Sequence, residues 1–124
     1  MKNRELYAGL VRLHVLHHAA KEPVYGVRLM EEISSHGYEI RPGTLYPILH
    51  NLEAKGYLRS RVAIEGGRQR RLYMITPAGR RALAIGKSRV WELFHELFED
   101  EHHPVAEDHA TAVPGPRRKK TRGN

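Results

Sequence analysis

The stretch HVLHH sets His14 and His18 four residues apart, one turn of a helix, with His17 beside them. Imidazoles at that spacing can chelate a divalent metal such as Zn(II), and in a dimer His95, His102 or His103 would be available to complete the shell. Hydrolytic zinc chemistry needs more than this. Val15, not glutamate, follows His14, so the general base of an HExxH site is absent. No Ser/His/Asp set and no carboxylate pair stands at a recognisable spacing either, which argues against an enzyme. Two readings of the cluster stand side by side: a metal-sensing site, or histidines that pack and hydrogen-bond at a subunit seam. Nothing in the sequence requires a cofactor, and a divalent metal enters only as an effector.

A second pattern lies in RPGTLYPILHNLEAKGYL, residues 41–58. At 100° per residue Leu45, Ile48, Leu49 and Leu52 fall within about 60° of one another and face a core. Gly43, Pro47 and His50 point away, with Tyr46 and Asn51 on the flanks. An ordinary solvated face would be rich in Lys and Glu. This one is compact, which lets a helix backbone come close to another surface while hydroxyls and an imidazole offer hydrogen bonds. Pro47 is tolerable if Gly43 is near the N-cap, because first-turn amides have no intrahelical partner. Tyr46 has an alternative role, packing between core and surface.

Those residues need elements to position them. Residues 5–20 carry apolar side chains at 6, 10, 13 and 16 with neighbours at 7, 11 and 15, a broad helical stripe. Pro23 interrupts the pattern; residues 24–36 resume it through Val27, Leu29, Met30 and Ile33, and Gly37 stands where a left-handed cap is wanted. The third helix, in residues 41–58, is closed by Gly56. Residues 58–64, EGGR and residues 69–75 read as a hairpin, Gly66 and Gly67 supplying the positive φ angles of its turn. Thr76 and Pro77 form a helix start, a hydroxyl cap followed by a residue that loses no bonded amide there. The helix that follows reaches about residue 100, roughly 36 Å. Leu83, Val90, Phe94 and Leu97 form its stripe, widened by Trp91 and Phe98, and a small core cannot cover so long an apolar surface. These residues are therefore the expected dimerisation set. Residues 101–124 are small, polar and rich in Pro and Gly, with no period, and predict disorder.

The chain carries a formal charge of +7 and a pI near 10.0. Between residues 59 and 89 nine Lys/Arg face a single acid, Glu65. A basic segment inside the folded part suits a polyanion. With no cysteine there is no disulfide framework or thiolate metal site, and a reducing, cytoplasmic location is expected. Arg12, His14, His17 and His18 interrupt the first apolar stretch, so neither a signal peptide nor a membrane span is expected. Fold class follows: mainly α with a small β-hairpin, a winged helix-turn-helix plus one long C-terminal dimerisation helix. In such a fold the third helix enters the major groove of double-stranded DNA.

GTLYPILHNLEAKGYL resembles the signature of PadR-like transcriptional regulators. VYG at residues 24–26, the wing EGGRQRRLYMITPAGRRAL and the single C-terminal helix continue the likeness over roughly residues 6–98. The expected organisation is residues 1–75 as the DNA-binding domain, residues 76–100 as the dimerisation helix and residues 101–124 as a disordered tail, onto which the resemblance carries nothing. It implies a homodimeric repressor, paired through the last helix with help from the first, that leaves an inverted-repeat operator when an effector arrives. Thr44, Tyr46, Pro47 and His50 fall on recognition-helix positions, with Arg41, Gly43 and Asn51 on the same DNA-facing element, and Gly67, Arg68 and Arg70 on the wing. Trp91, the only tryptophan, either packs at the interface or, with Phe94, lines an apolar cavity for a flat hydrophobic effector. The alternative function is a nonspecific architectural winged-helix protein that uses the basic face alone.

Overall fold

Chain breakers set the element order of the computed structural model, which describes residues 4–99. Helix α1 (Arg4–Lys21) stops before Pro23, strand β1 (Val24–Tyr25) follows, and α2 (Gly26–Ser34) and α3 (Pro42–Ala54) come next. Strands β2 (Leu58–Glu65) and β3 (Arg68–Ile75) lead into α4 (Pro77–Glu99). The predicted disordered segment, residues 101–124, lies outside the described residues.

The sheet has three antiparallel strands in the order β1-β3-β2. Val24 and Tyr25, read from sequence as the start of the second helix, instead pair with Tyr73 and Leu72. Two residues cannot display a period of two, so local patterning had no means of separating them from the helix behind them. Gly66 and Gly67 make the two-residue turn between β2 and β3, with φ of 60° and 78°, the mirror-image turn that matches strand twist.

The described residues divide between two units, residues 4–87 and residues 88–99. In the first, Val15 and Leu16 of α1, Leu29 and Ile33 of α2, Leu45 and Leu49 of α3, and Tyr73 of β3 form one buried cluster. The first half of α4 belongs to this unit. Thr76 caps it as expected: its hydroxyl accepts from Gly79 N–H at 3.0 Å and donates to the Gly56 carbonyl at 2.6 Å. Gly79 is buried against Tyr57, and a Cβ there would run into the Tyr57 carbonyl oxygen. Leu83, expected from sequence on the dimer face, is half-buried and packs on the chain's own core. A position early in α4 lies over the core that the helix leaves, and the amphipathic stripe does not say where along its length one partner gives way to another. The described part of the second unit, residues 88–99, is the end of α4.

Candidate nucleic-acid interface

Helix α3 is built as its sequence dictates on the inner side and unusually on the outer. Leu45, Ile48, Leu49 and Leu52 are all buried. Arg41, Gly43, Pro47, His50 and Asn51 are exposed, and Thr44 is half-exposed. Arg41 is the N-cap, in extended conformation, and its carbonyl accepts from Thr44 N–H and Leu45 N–H, both at 2.9 Å. The helix thus begins at Pro42, so Pro47 lies in the second turn rather than in the unpaired first one. The bond it deletes is to the Gly43 carbonyl, at an exposed residue where water can replace it. At the other end Gly56 N–H reaches the Glu53 carbonyl and Tyr57 N–H the Leu52 carbonyl, both at 2.9 Å, with Gly56 at φ 85°. This double cap sharply ends the helix.

Tyr46 departs from its neighbours. It is half-buried against the core, and its ring lies over Gly26, where an added Cβ would meet the hydroxyl at 2.7 Å and Cε1 at 2.9 Å. The packing role weighed for Tyr46 is thus the one the structure gives it.

The wing is joined to α3 by a polar brace. Ser60 of β2 donates from its hydroxyl to both Glu53 carboxylate oxygens, at 2.8 and 3.0 Å, and its N–H donates to Oε2 at 3.2 Å. An Arg71 N–H donates to the same serine oxygen at 3.2 Å. Directly opposed residues of an antiparallel pair point to one face. The register Arg59↔Met74, Arg61↔Leu72, Ala63↔Arg70 and Glu65↔Arg68 therefore places Arg59, Arg61, Arg68 and Arg70 on a common face. Arg70 lies 3.7 Å from Glu65 and shares part of its charge with it. Arg68 and Arg70 are the wing arginines expected from sequence; Arg59 and Arg61 join them through the register. The two-residue turn, once read, already fixed this alternation.

An open cleft of about 450 Å³ runs between α1 and α3, lined by Val11, Tyr38, Ile40, Thr44, Pro47 and Ile48 among others. Trp91 and Phe94 do not line it. They stack on each other, centroids 5.5 Å apart, and His95 sits edge-on to Trp91 at 4.3 Å while its Nδ1 lies 2.8 Å from Glu99 Oε2.

The histidines also sort themselves. His14 and His18 lie together, as the spacing predicted, but the third member of the group is His36 and not His17. His17 is exposed and meets His18 edge-on, ring centroids 5.2 Å apart. A helix turn brings residues i and i+4 to one face and swings i+3 to its rim; His36 arrives from the turn after α2, a distance along the chain that no local spacing rule spans. Burial holds His14 below its ordinary pKa, and His36, His18 and His17 act in the same direction. Burial likewise lowers His18, opposed by Glu32 and assisted by His17, His36 and Lys21. Nε2 of His18 is buried and has no hydrogen-bond partner among the described residues, a situation that costs about 1–3 kcal/mol.

Residues 15–85 match the sequence model of the transcriptional regulator PadR-like family. The chain belongs to that family. A curated relative, Transcriptional regulator Rv3488 of Mycobacterium tuberculosis, is 49% identical over 81% of this chain and 94% of its own length. A PadR family transcriptional regulator from Eggerthella lenta is similar in structure, with a TM-score of 0.68 and 32% identity over 77% of this chain and 84% of that one. A transcriptional regulator from Clostridium thermocellum gives 0.67 and 26% over 80% and 99%. The protein is thus a PadR-family transcriptional regulator with a winged-helix fold, and not an enzyme. No helix among the described residues is long and apolar enough to cross a membrane.

Proposed function

We infer that this PadR-family regulator is a homodimeric repressor that reads an inverted-repeat operator. Each protomer lays α3 in a major groove and the wing along the flanking phosphates. The observation that carries the reading is the outer face of α3, compact and uncharged between Gly43 and Asn51, braced through Glu53 and Ser60 to a hairpin with four arginines on one face. Thr44, His50 and Asn51 supply the groups for base edges, and Arg41 stands at the end of the helix that approaches the backbone. Arg59, Arg61, Arg68 and Arg70 supply charge for phosphates. Pro47 and Gly43 keep the helix slim where it meets the groove wall.

Dimerisation is supported by apolar surface left uncovered. Leu6 is 71% exposed and Leu10 is also open on α1; on α4 Val90, Trp91, Leu97 and Phe98 are exposed, with Phe94 half-exposed. Singly placed surface apolar residues are ordinary, whereas a series at helical spacing is the mark of a helix that meets another chain. Two-fold pairing makes the operator an inverted repeat, with half-sites about one helical turn apart or a multiple of it. Release follows from an effector, either a metal ion or a hydrophobic molecule held near Trp91 and Phe94.

A mobility shift with the DNA upstream of the regulator's own coding sequence tests the reading. A discrete complex that survives excess nonspecific competitor supports a sequence-reading dimer. Binding that competitor abolishes leaves only the electrostatic component and sinks the assignment of α3 as the reader.

A further inference from the structure

Three imidazoles meet beside the turn that leads into α3. His14 and His18 stand one helical turn apart on α1, and His36 follows the C-cap of α2. One ring nitrogen from each lies within 4.8 Å of the other two. The His14 ring is 4.7 Å from His36 and 6.3 Å from His18, and His18 is 6.2 Å from His36. Tyr38 closes one side, edge-on to His14 at 5.3 Å. A face that merely happened to be rich in histidine would give its rings to water or to carboxylates. Here the rings face one another, and the buried Nε2 of His18 has no hydrogen-bond partner among the described residues.

We propose that His14, His18 and His36 form a binding site for a divalent transition metal ion of the Zn(II) or Co(II) class, tying α1 to the turn of the helix-turn-helix. Imidazole is a ligand of borderline softness that suits these ions, while the lack of oxygen ligands in the cluster disfavours Mg(II) and Ca(II). Three histidines leave a fourth position open to water or another donor. With metal–nitrogen bonds of about 2.0–2.1 Å, tetrahedral ligand nitrogens stand about 3.4 Å apart, so the cluster contracts by at most about 1.4 Å on binding. The rings are also near parallel, 14° to 28° between planes, and their lone pairs converge only after rotation about χ2. That torsion is broad and soft. His36 is the exposed member and lies outside both helices, which makes it the ligand that moves.

Such an ion fixes the segment between α2 and α3 against α1 and so shifts DNA affinity. This coupling rests on the reading of α3 as the DNA-contacting helix; the site itself does not. The metal-free full chain is titrated with Co(II) and followed by visible absorption, then with Zn(II) by calorimetry. One ion per chain is expected at this site. His36→Ala and His14→Ala should each weaken it by about 100-fold or more, since altering an outer partner of a metal ligand already costs 10–100-fold. His17→Ala and a His102→Ala/His103→Ala double variant should titrate like the parent. Because His36 is exposed, its replacement opens no cavity, and a melting curve in chelator confirms the fold. Absence of ligand-field bands in the parent overturns the site, as does a parent-like titration of His36→Ala. No DNA is present in these titrations, so their failure is distinct from failure of the DNA reading. A mobility shift with and without one equivalent of Zn(II) then tests the coupling. A change in affinity that His36→Ala abolishes supports it; metal-bound protein with unchanged affinity removes it.

Discussion

Arg68→Gln/Arg70→Gln removes two guanidinium groups from each wing and therefore four from a dimer. Every phosphate contact contributes about 0.9 to the slope of log affinity against log salt. If all four arginines contact phosphate, the slope becomes shallower by about 3.6. Arg70 is partly neutralised by Glu65 at 3.7 Å, so it counts for less; Arg68 alone sets a lower figure of about 1.8 for the dimer. At about 0.15 M salt the same relation converts these limits into losses of about 30-fold to about 1000-fold in affinity. The loss should be alike for operator and for unrelated duplex, because phosphates carry no sequence. Fluorescence anisotropy on labelled duplexes across a salt series measures both quantities. A slope unchanged within error would remove the wing from the interface. A loss confined to the operator would instead make these arginines readers of bases.

Three further outcomes test the scaffold. Gly79→Ala gains helix propensity but drives a Cβ into the Tyr57 carbonyl oxygen and to 2.7 Å from Ile75 Cγ1, so urea unfolding should show a net loss of about 2 kcal/mol or more. Gly26→Ala first meets the end of the Tyr46 ring, which can move, and should cost less; the reverse order would contradict the packing described. Glu53→Ala strips Ser60 of its acceptor and should lower stability by about 1–2 kcal/mol, with DNA affinity falling further than stability accounts for; unchanged affinity would show that the brace does not position the wing. In chelator, the lowered pKa values of His14, His17 and His18 mean that the unfolded chain binds more protons as pH falls below 6.5. His17, largely exposed, is lowered by partial desolvation first, then by Lys21, Lys87 and His36. Stability should therefore be intact above that pH and decline beneath it, and a urea midpoint that is flat or rises from pH 7.5 to 5.5 would refute the assignment.

Much of this was legible because it is local. The four apolar residues of α3, the Gly66–Gly67 turn and the Thr76 cap each follow from spacing or backbone preference within a few residues, and the structure places all of them as expected. What escaped was set by distance along the chain. Strand β1 exists because Val24 and Tyr25 reach β3 some fifty residues on. His36 joins His14 and His18 only through the packing of α2 on α1, which left His17 as the nearest candidate in sequence. Tyr46 was ambiguous for a chemical reason: an amphipathic ring suits either side of a helix flank, and Gly26, from another element, settled its position. Leu83 and Phe94 carry the same stripe pattern, yet Leu83 packs against its own core and Phe94 against Trp91 and Phe98.

The central claim is that two copies of α3 read two major grooves while the wings hold the flanking phosphates. Hydroxyl-radical footprinting on the operator tests it most directly, since it maps protection base by base on both strands. Two symmetric protected segments are expected, their centres about 10–10.5 base pairs apart or a multiple of that, with His50→Ala weakening the specific complex and leaving nonspecific binding intact. Protection without phase along the duplex, or a specific complex indifferent to His50→Ala and Thr44→Ala, would contradict it.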